Sequence, residues 1–135
     1  MDKLSEAYFT KFKVRVEVLP EYAKRKSYSD VIREGQEALE LFLKGLLRSM
    51  GVEPTFSHDP GKELQNYLQK IPVEFKALGP DLVQWSKKLR KERELSFYGA
   101  VDFIPTQEYS AAEAKEVIQF LEAVKEKMEA FLKAR

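Results

Sequence analysis

The longest amphipathic pattern in the chain lies between residues 29 and 50. Apolar or small residues recur there at steps of three and four, which is the spacing of one helical face. They are Val31, Gly35, Ala38, Leu39, Phe42, Leu46 and Met50, with Ile32, Leu43 and Leu47 beside them. A stripe this wide predicts a helix over residues 29–50 that is central to the fold. Gly51 follows directly and can take the left-handed conformation that ends a helix.

A second strong helix is predicted near the carboxyl end. Ser110 and Glu113 have the spacing of a capping box, in which each side chain bonds the other residue's backbone amide. The apolar positions after this box recur at steps of four and three, and they are Val117, Leu121, Val124, Met128 and Phe131. This helix is therefore expected to begin after Ser110 and to bury one stripe.

Two further helices are predicted between these. Asp59 as N-cap and Pro60 at the first helical position open a short helix over about residues 60–69. A longer one is expected over about residues 72–97. Because Pro80 cannot donate a backbone hydrogen bond, we expect it to break or kink at Gly79-Pro80.

The first part of the chain fits two patterns. Residues 12–18 alternate strictly between apolar and polar, which is typical of a strand. A helical face is also present, made of Phe9, Phe12, Val16, Leu19 and Ala23. The only other β-like stretch is residues 98–104, so a strand here would lack partners, and helix is favoured. The fold class is then all-α, an up-and-down four-helix bundle with a short additional helix, forming one domain over residues 1–135.

Composition narrows the chemistry. Lys and Arg number 23 against 22 Asp and Glu, so with a net charge of +1 any anion site must be local. No cysteine and one histidine exclude a thiol nucleophile, a disulfide framework and a multi-histidine zinc site, and no cofactor is predicted.

The chain has no 18-residue apolar run and no signal-peptide pattern, so we expect a cytoplasmic protein without a membrane partner. Few Asn and Gln beside many Lys and Glu hint at a hot environment.

The most informative feature is the third long helix, where the apolar stripe stops. The stripe runs through Phe75, Leu78, Leu82, Trp85 and Leu89, and its next positions are Glu92, Arg93 and Ser96. Residues 87–93 also carry five cations and one Glu, the densest basic cluster in the chain. A polar inward face indicates a ligand pocket or a surface that another subunit closes. The alternative is a helix end that reaches solvent, and the sequence does not decide between them.

Several single residues have two interpretations. Lys87, Lys88 and Lys91 either complement the helix dipole or contact phosphate. Trp85, Phe97 and Tyr98 could stack on bases, although core packing is favoured for Trp85.

His58 is interpreted as a local hydrogen-bonding or capping residue rather than a general base. Gly35 and Gly45 predict close helix approach, either within the bundle or across a dimer interface.

Two stretches resemble HEPN domains. Residues 36–47 (QEALELFLKGLL), followed by Gly51, His58-Asp59 and Leu64, resemble the family's central helix and the loop after it. Residues 93–99 (RELSFYG), which lead through Ile104-Pro105 to Tyr109-Ser110, resemble its carboxyl-terminal part. The resemblance implies a four-to-five-helix bundle that is usually a homodimer. It also implies a minimal nucleotidyltransferase as partner, often in a toxin–antitoxin pair.

The ribonucleases of that family carry an arginine, four to six residues, and then a histidine, commonly with a tyrosine two residues further on. From Arg90 the histidine position is Ser96, with Tyr98 at the tyrosine position; from Arg93 the histidine position is Tyr98 itself. Serine takes up no proton near neutral pH, and a tyrosine with a pKa of about 10 is a poor base there. The motif is degenerate, and no catalytic residue is assigned.

The resemblance leaves a binding role open, with Arg90, Arg93, Lys87, Lys91 and Tyr98 as nucleotide- or RNA-binding residues. It also makes Tyr98 a site that a nucleotidyltransferase could modify with AMP. The leading hypothesis is a homodimer that binds a nucleotide, RNA or a nucleotidyltransferase and is not itself a nuclease. The alternatives are a ribonuclease toxin with an atypical motif and a purely structural subunit.

Overall fold

Five α-helices and two 3₁₀ segments form the regular structure of residues 1–53, 59–98 and 109–135, which are the residues that this computed structural model describes. Within residues 59–98, side chains are described only up to Arg93. The elements are α1 (Lys3–Lys24), α2 (Tyr28–Ser49), α3 (Pro60–Leu64), the 3₁₀ segments Gln65–Lys70 and Val73–Leu78, α4 (Gly79–Tyr98) and α5 (Ala111–Lys133). No strand occurs within those ranges, and the predicted all-α fold class is confirmed.

Helix α2 is the centre of the bundle, as its wide apolar stripe predicts. It packs against α1, α3, α4 and α5. Its Phe42 is fully buried against rings of α1 and the second 3₁₀ segment, and a ring of α5 completes the cluster. Neighbouring rings in this cluster have centroids 5.1 to 6.2 Å apart, and the members are Phe9, Phe12, Phe42, Phe75 and Phe131.

The first segment is helical, so the strand alternative for residues 12–18 is wrong. Phe9, Phe12 and Val16 are all buried against the rest of the bundle. The alternation arises because Val14 and Val18 occupy outward positions, where they are 55% and 46% exposed. Their pattern therefore reflects exposed valines on a helix.

The two glycines of α2 mark close contacts inside the bundle. A Cβ atom on Gly35 would lie 2.8 Å from Val117 Cγ1 of α5. A Cβ atom on Gly45 would lie 2.9 Å from Phe9 Cε1 of α1. Both distances are shorter than carbon atoms tolerate, so each glycine lets a neighbouring helix approach α2.

The predicted helix ends occur close to where the sequence signals place them. Asp59 accepts a hydrogen bond from the Lys62 amide at 3.1 Å, and Ser110 and Glu113 form the capping box. The short helix ends at Leu64 and continues as 3₁₀ structure, which the sequence did not predict. Residues 73–78, which were predicted to belong to the long helix over 72–97, form a 3₁₀ segment instead, and α structure begins at Gly79, where the break or kink was expected. Within the described ranges, none of the helices has the length and apolarity to cross a membrane.

Candidate anion-binding site

The inward stripe of α4 is apolar through Leu89, as predicted. Leu82 and Leu89 are buried. Trp85 is half-buried, and its ring stacks on Phe120 of α5 with centroids 5.1 Å apart. The Lys88 ammonium lies 4.9 Å from the centroid of the Trp85 ring. Trp85 therefore contributes to helix packing, which agrees with the core interpretation.

Glu92, the first polar position of that stripe, is held by Tyr109. The Tyr109 hydroxyl donates to Glu92 Oε2 at 2.9 Å, and Tyr109 is 7% exposed. Burial raises the pKa of Tyr109 well above its ordinary value, and the hydrogen bond to the Glu92 carboxylate raises it further. Glu92 is thus fixed by the residue that precedes the cap of α5.

The two arginines of α4 reach carboxylates on α2. Arg90 donates from Nη1 to Glu40, and its Nε lies 3.7 Å from Asp59. Arg93 donates from Nη2 to Glu37 Oε1 at 3.2 Å. Both guanidinium groups therefore face α2, where charged pairs form between the helices.

These pairs belong to a larger network along the outer side of α2. Arg15 of α1 donates to Glu34 at 2.6 Å and to Glu37 at 3.0 Å. Arg33 lies 2.8 Å from Glu34 and 3.6 Å from Glu37. Among the described residues, the arginines Arg15, Arg33, Arg90 and Arg93 meet the carboxylates Asp30, Glu34, Glu37, Glu40 and Asp59. Counted over these described side chains, four arginines face five carboxylates, so the arginines are already paired before any ligand binds.

A pocket of about 300 Å³ lies between α2 and α4, lined by Gln36, Glu40, Arg90 and Arg93. We refer to it as the α2–α4 pocket. Gln36 is 2% exposed, and its Oε1 accepts no hydrogen bond from any described residue. Leaving a buried polar atom without a partner costs about 1–3 kcal/mol, so this oxygen is an unused acceptor beside two arginines.

The structure brings together only part of the predicted binding set. Arg90 and Arg93 share the α2–α4 pocket. Lys87 lines a different pocket of about 330 Å³, with Asp59, Lys62, Gln65 and Val83. Lys91 is exposed. Ser96 and Tyr98 lie in the last turns of α4, but their side chains are outside the described residues, as is His58.

Sequence reasoning missed Gln36, Glu37 and Glu40. Gln36 could have been identified, because it is a polar residue at a position of the apolar stripe of α2. It lies four residues after Ile32 and three before Leu39, so helical spacing places it on the buried face. Glu37 and Glu40 carry no such signal, since glutamates on an outer helix face usually contact solvent. In the described part of the chain, no group of three acidic or histidine side chains is arranged to hold a metal ion.

Comparison with known proteins gives one finding. The family model described as HEPN domain matches residues 16–131, which include every element from the second half of α1 to the last turns of α5. No curated protein and no solved structure matches the chain.

Proposed function

Because the chain belongs to the HEPN family, we propose that it is a homodimeric protein that binds a nucleotide or RNA through the α2–α4 pocket, and that it binds without cleaving. The observation that carries this proposal is the convergence of Arg90, Arg93 and the buried Gln36 amide on one pocket. The two arginines lie outside the apolar core, and Gln36 places a polar group within the buried stripe of α2. Their arrangement is that of a polar binding site supported by rigid helices.

Guanidinium groups suit this role because their donors match the oxygen atoms of a phosphate group in pairs. Arg90 and Arg93 are one helical turn apart on α4, so both can face one anion. Helices also hold the two side chains on a fixed frame. We therefore assign the phosphate contact to this pair, with Lys87 and Lys91 as outer cations that attract the ligand.

Binding without cleavage follows from the residue types in the motif. The positions where the family's ribonucleases carry histidine hold Ser96 or Tyr98. Serine takes up no proton near neutral pH, and tyrosine is a poor proton acceptor there. The proposed protein therefore holds its ligand but lacks the base that cleavage requires.

The first experiment measures binding of a labelled short RNA and of ATP to R90A and R93A variants. Losing a charged hydrogen bond costs about 1.5–3 kcal/mol, so each variant should bind about tenfold to a hundredfold more weakly. The matched control is R25A, which removes an exposed arginine that is also paired with a glutamate. Unchanged affinity in both R90A and R93A would remove the anion-binding role.

A second experiment tests for cleavage. Labelled RNA incubated with the purified protein should stay intact, and expression of the chain should not arrest growth. If RNA is cleaved and R93A or Y98F abolishes cleavage, the ribonuclease-toxin alternative is correct and this proposal is wrong.

Assembly is tested separately. We include a homodimer and a minimal nucleotidyltransferase partner in the proposal, both on the support of family membership. Sedimentation should give a dimer at micromolar concentration, and a monomer would contradict the dimer. A small nucleotidyltransferase encoded beside this chain should co-purify with it, and failure to do so would remove the partner.

A further inference from the structure

We propose that the α2–α4 pocket recognises a phosphorylated sugar, with the phosphate replacing Glu40 and Glu37 at Arg90 and Arg93, and with Gln36 accepting a hydrogen bond from a sugar hydroxyl. This inference rests on the proposed function, because it specifies the chemical group that the same pocket binds. It also gives roles to Glu37 and Glu40, two residues of α2 to which the proposed function assigns none.

The ion pairs limit which anions can enter. Glu40 already pairs with Arg90, and Glu37 already pairs with Arg93. An incoming carboxylate would replace one carboxylate by another and gain no interaction. A phosphate group carries up to two charges and more acceptor oxygens, so it can bridge both guanidinium groups and displace both glutamates. The pocket therefore favours phosphate over singly charged organic anions.

Gln36 limits the ligand further. Its buried Oε1 needs a donor, and among the described residues none supplies one. A phosphate dianion presents only acceptors, so phosphate alone satisfies the arginines and leaves this oxygen unpaired. A hydroxyl on the group attached to the phosphate would provide the missing donor. Gln36 lies one turn before Glu40 on α2 and lines the same pocket, so both contacts fall within one ligand.

Pocket size favours the sugar over the base as the source of that donor. About 300 Å³ is at the lower end of the range for small-molecule pockets. This space suits a phosphate with its adjoining sugar better than a complete nucleotide. The base of a nucleotide would then extend out of the α2–α4 pocket.

The test uses the full chain and calorimetric titration with inorganic phosphate, ribose 5-phosphate and AMP. In the unmodified protein, ribose 5-phosphate should bind at least about tenfold more tightly than phosphate, since it satisfies one more buried group. AMP should bind within about threefold of ribose 5-phosphate if the base stays outside. Equal affinity for phosphate and ribose 5-phosphate would overturn the inference.

The decisive variant is Gln36→Met, which keeps the length of the side chain and removes the amide. Ribose 5-phosphate should then bind no more tightly than phosphate, while the affinity for phosphate stays unchanged. Gln119→Met, at an exposed position of α5, is the matched control and should keep the preference. Thermal unfolding checks that both variants fold, which we expect because Gln36→Met replaces an unpaired buried amide with an apolar group. A preference that survives in Gln36→Met would overturn the role of Gln36.

Glu40→Gln tests the displacement step. Neutralising this residue removes a competitor for Arg90, so affinity for phosphate and for ribose 5-phosphate should rise several-fold. A fall in affinity would show that Glu40 positions Arg90 for the ligand, and displacement would be wrong.

The outcomes separate this inference from the proposed function. If R90A and R93A bind RNA as the unmodified protein does, the proposed function fails. If both lose RNA binding but Gln36→Met keeps the preference for ribose 5-phosphate, only the sugar assignment fails. If AMP binds more tightly than ribose 5-phosphate and Gln36→Met removes that difference, the donor is on the base, and the sugar assignment is again wrong.

Discussion

The two long sides of α2 are held in place by different forces. One side buries Phe42 among aromatic rings and brings Gly35 against α5. The other side carries Glu37 and Glu40, which pair with arginines of neighbouring helices. Burial stabilises by about 1.5–3 kcal/mol per phenylalanine side chain, whereas a partly exposed ion pair contributes about 0–1 kcal/mol. The apolar side therefore determines the fold, and the polar side is available for binding.

The largest effect should come from the centre of the apolar side. Phe42→Ala should lower the free energy of unfolding by about 3–5 kcal/mol, because it removes a fully buried ring that contacts three others. Denaturant titration measures this change. Phe120→Ala is the matched control, since Phe120 is only half-buried and should cost less. Equal losses in both variants would mean that the central ring cluster does not dominate stability.

The helix contact at Gly35 should give the next effect. Gly35→Ala should destabilise the protein by about 1–3 kcal/mol, because the new methyl group would overlap Val117 Cγ1 on a stiff β-branched side chain. In a Val117→Ala background this overlap is absent. The same substitution should there stabilise α2 by up to about 1 kcal/mol through better helix propensity. A Gly35→Ala effect that is identical in both backgrounds would contradict the contact.

Tyr109 has a buried ring and a hydroxyl that bonds Glu92 near the polar end of α4. Removing this hydroxyl should change the free energy of unfolding less than the two substitutions above. Tyr109→Phe should cost about 1–2 kcal/mol at pH 8, since it leaves the Glu92 carboxylate without this donor. The pKa of Tyr109 is higher in the fold than in the unfolded chain, so its contribution is complete below the unfolded value of about 10. Above that pH the unfolded tyrosine releases its proton first, and the contribution falls.

Unfolding at pH 8 and at about pH 11 should therefore show a narrowing difference between the unmodified protein and Tyr109→Phe. The same substitution at the half-buried Tyr22 controls for the loss of a hydroxyl group. A difference that widens with pH would contradict the sign of this pKa shift.

The smallest change in stability should occur on the polar side. Arg93→Ala should alter the free energy of unfolding by no more than about 1 kcal/mol, because Arg93 is half-exposed and its pair with Glu37 is screened by solvent. Denaturant titration at low and high salt measures this. The same variant should lose ligand affinity, so stability and binding separate on this side of α2. A loss of 3 kcal/mol or more would make the polar side structural.

Most of the fold was predictable because the apolar stripes of α2 and α5 repeat over many turns. Local signals also sufficed at Asp59, Ser110 and Gly51, where the residue type itself satisfies the helix end. The end of α1 had no such signal. Lys26 takes the left-handed conformation there, with φ 61°, and its type does not predict it. The Ser27 amide then bonds to the Tyr22 carbonyl at 2.9 Å, and this bond closes the end of α1.

The site was only half predictable for a related reason. Arg90 and Arg93 could be identified from the sequence because they lie where the apolar stripe of α4 stops and a dense cluster of cations begins. Their partners Glu37 and Glu40 are ordinary glutamates until α4 packs against α2. That packing depends on contacts between residues about fifty positions apart, which periodicity within one helix does not report.

The three-residue connection between α1 and α2 has a consequence for the order of folding. Closing so short a loop costs little chain entropy, so the Phe12–Phe42 contact can form early. Phe131 must instead reach Phe9 across nearly the whole chain. We expect substitutions at Phe12 to slow refolding and substitutions at Phe131 mainly to speed unfolding. The helical hairpin would thus be the nucleus on which α5 closes last.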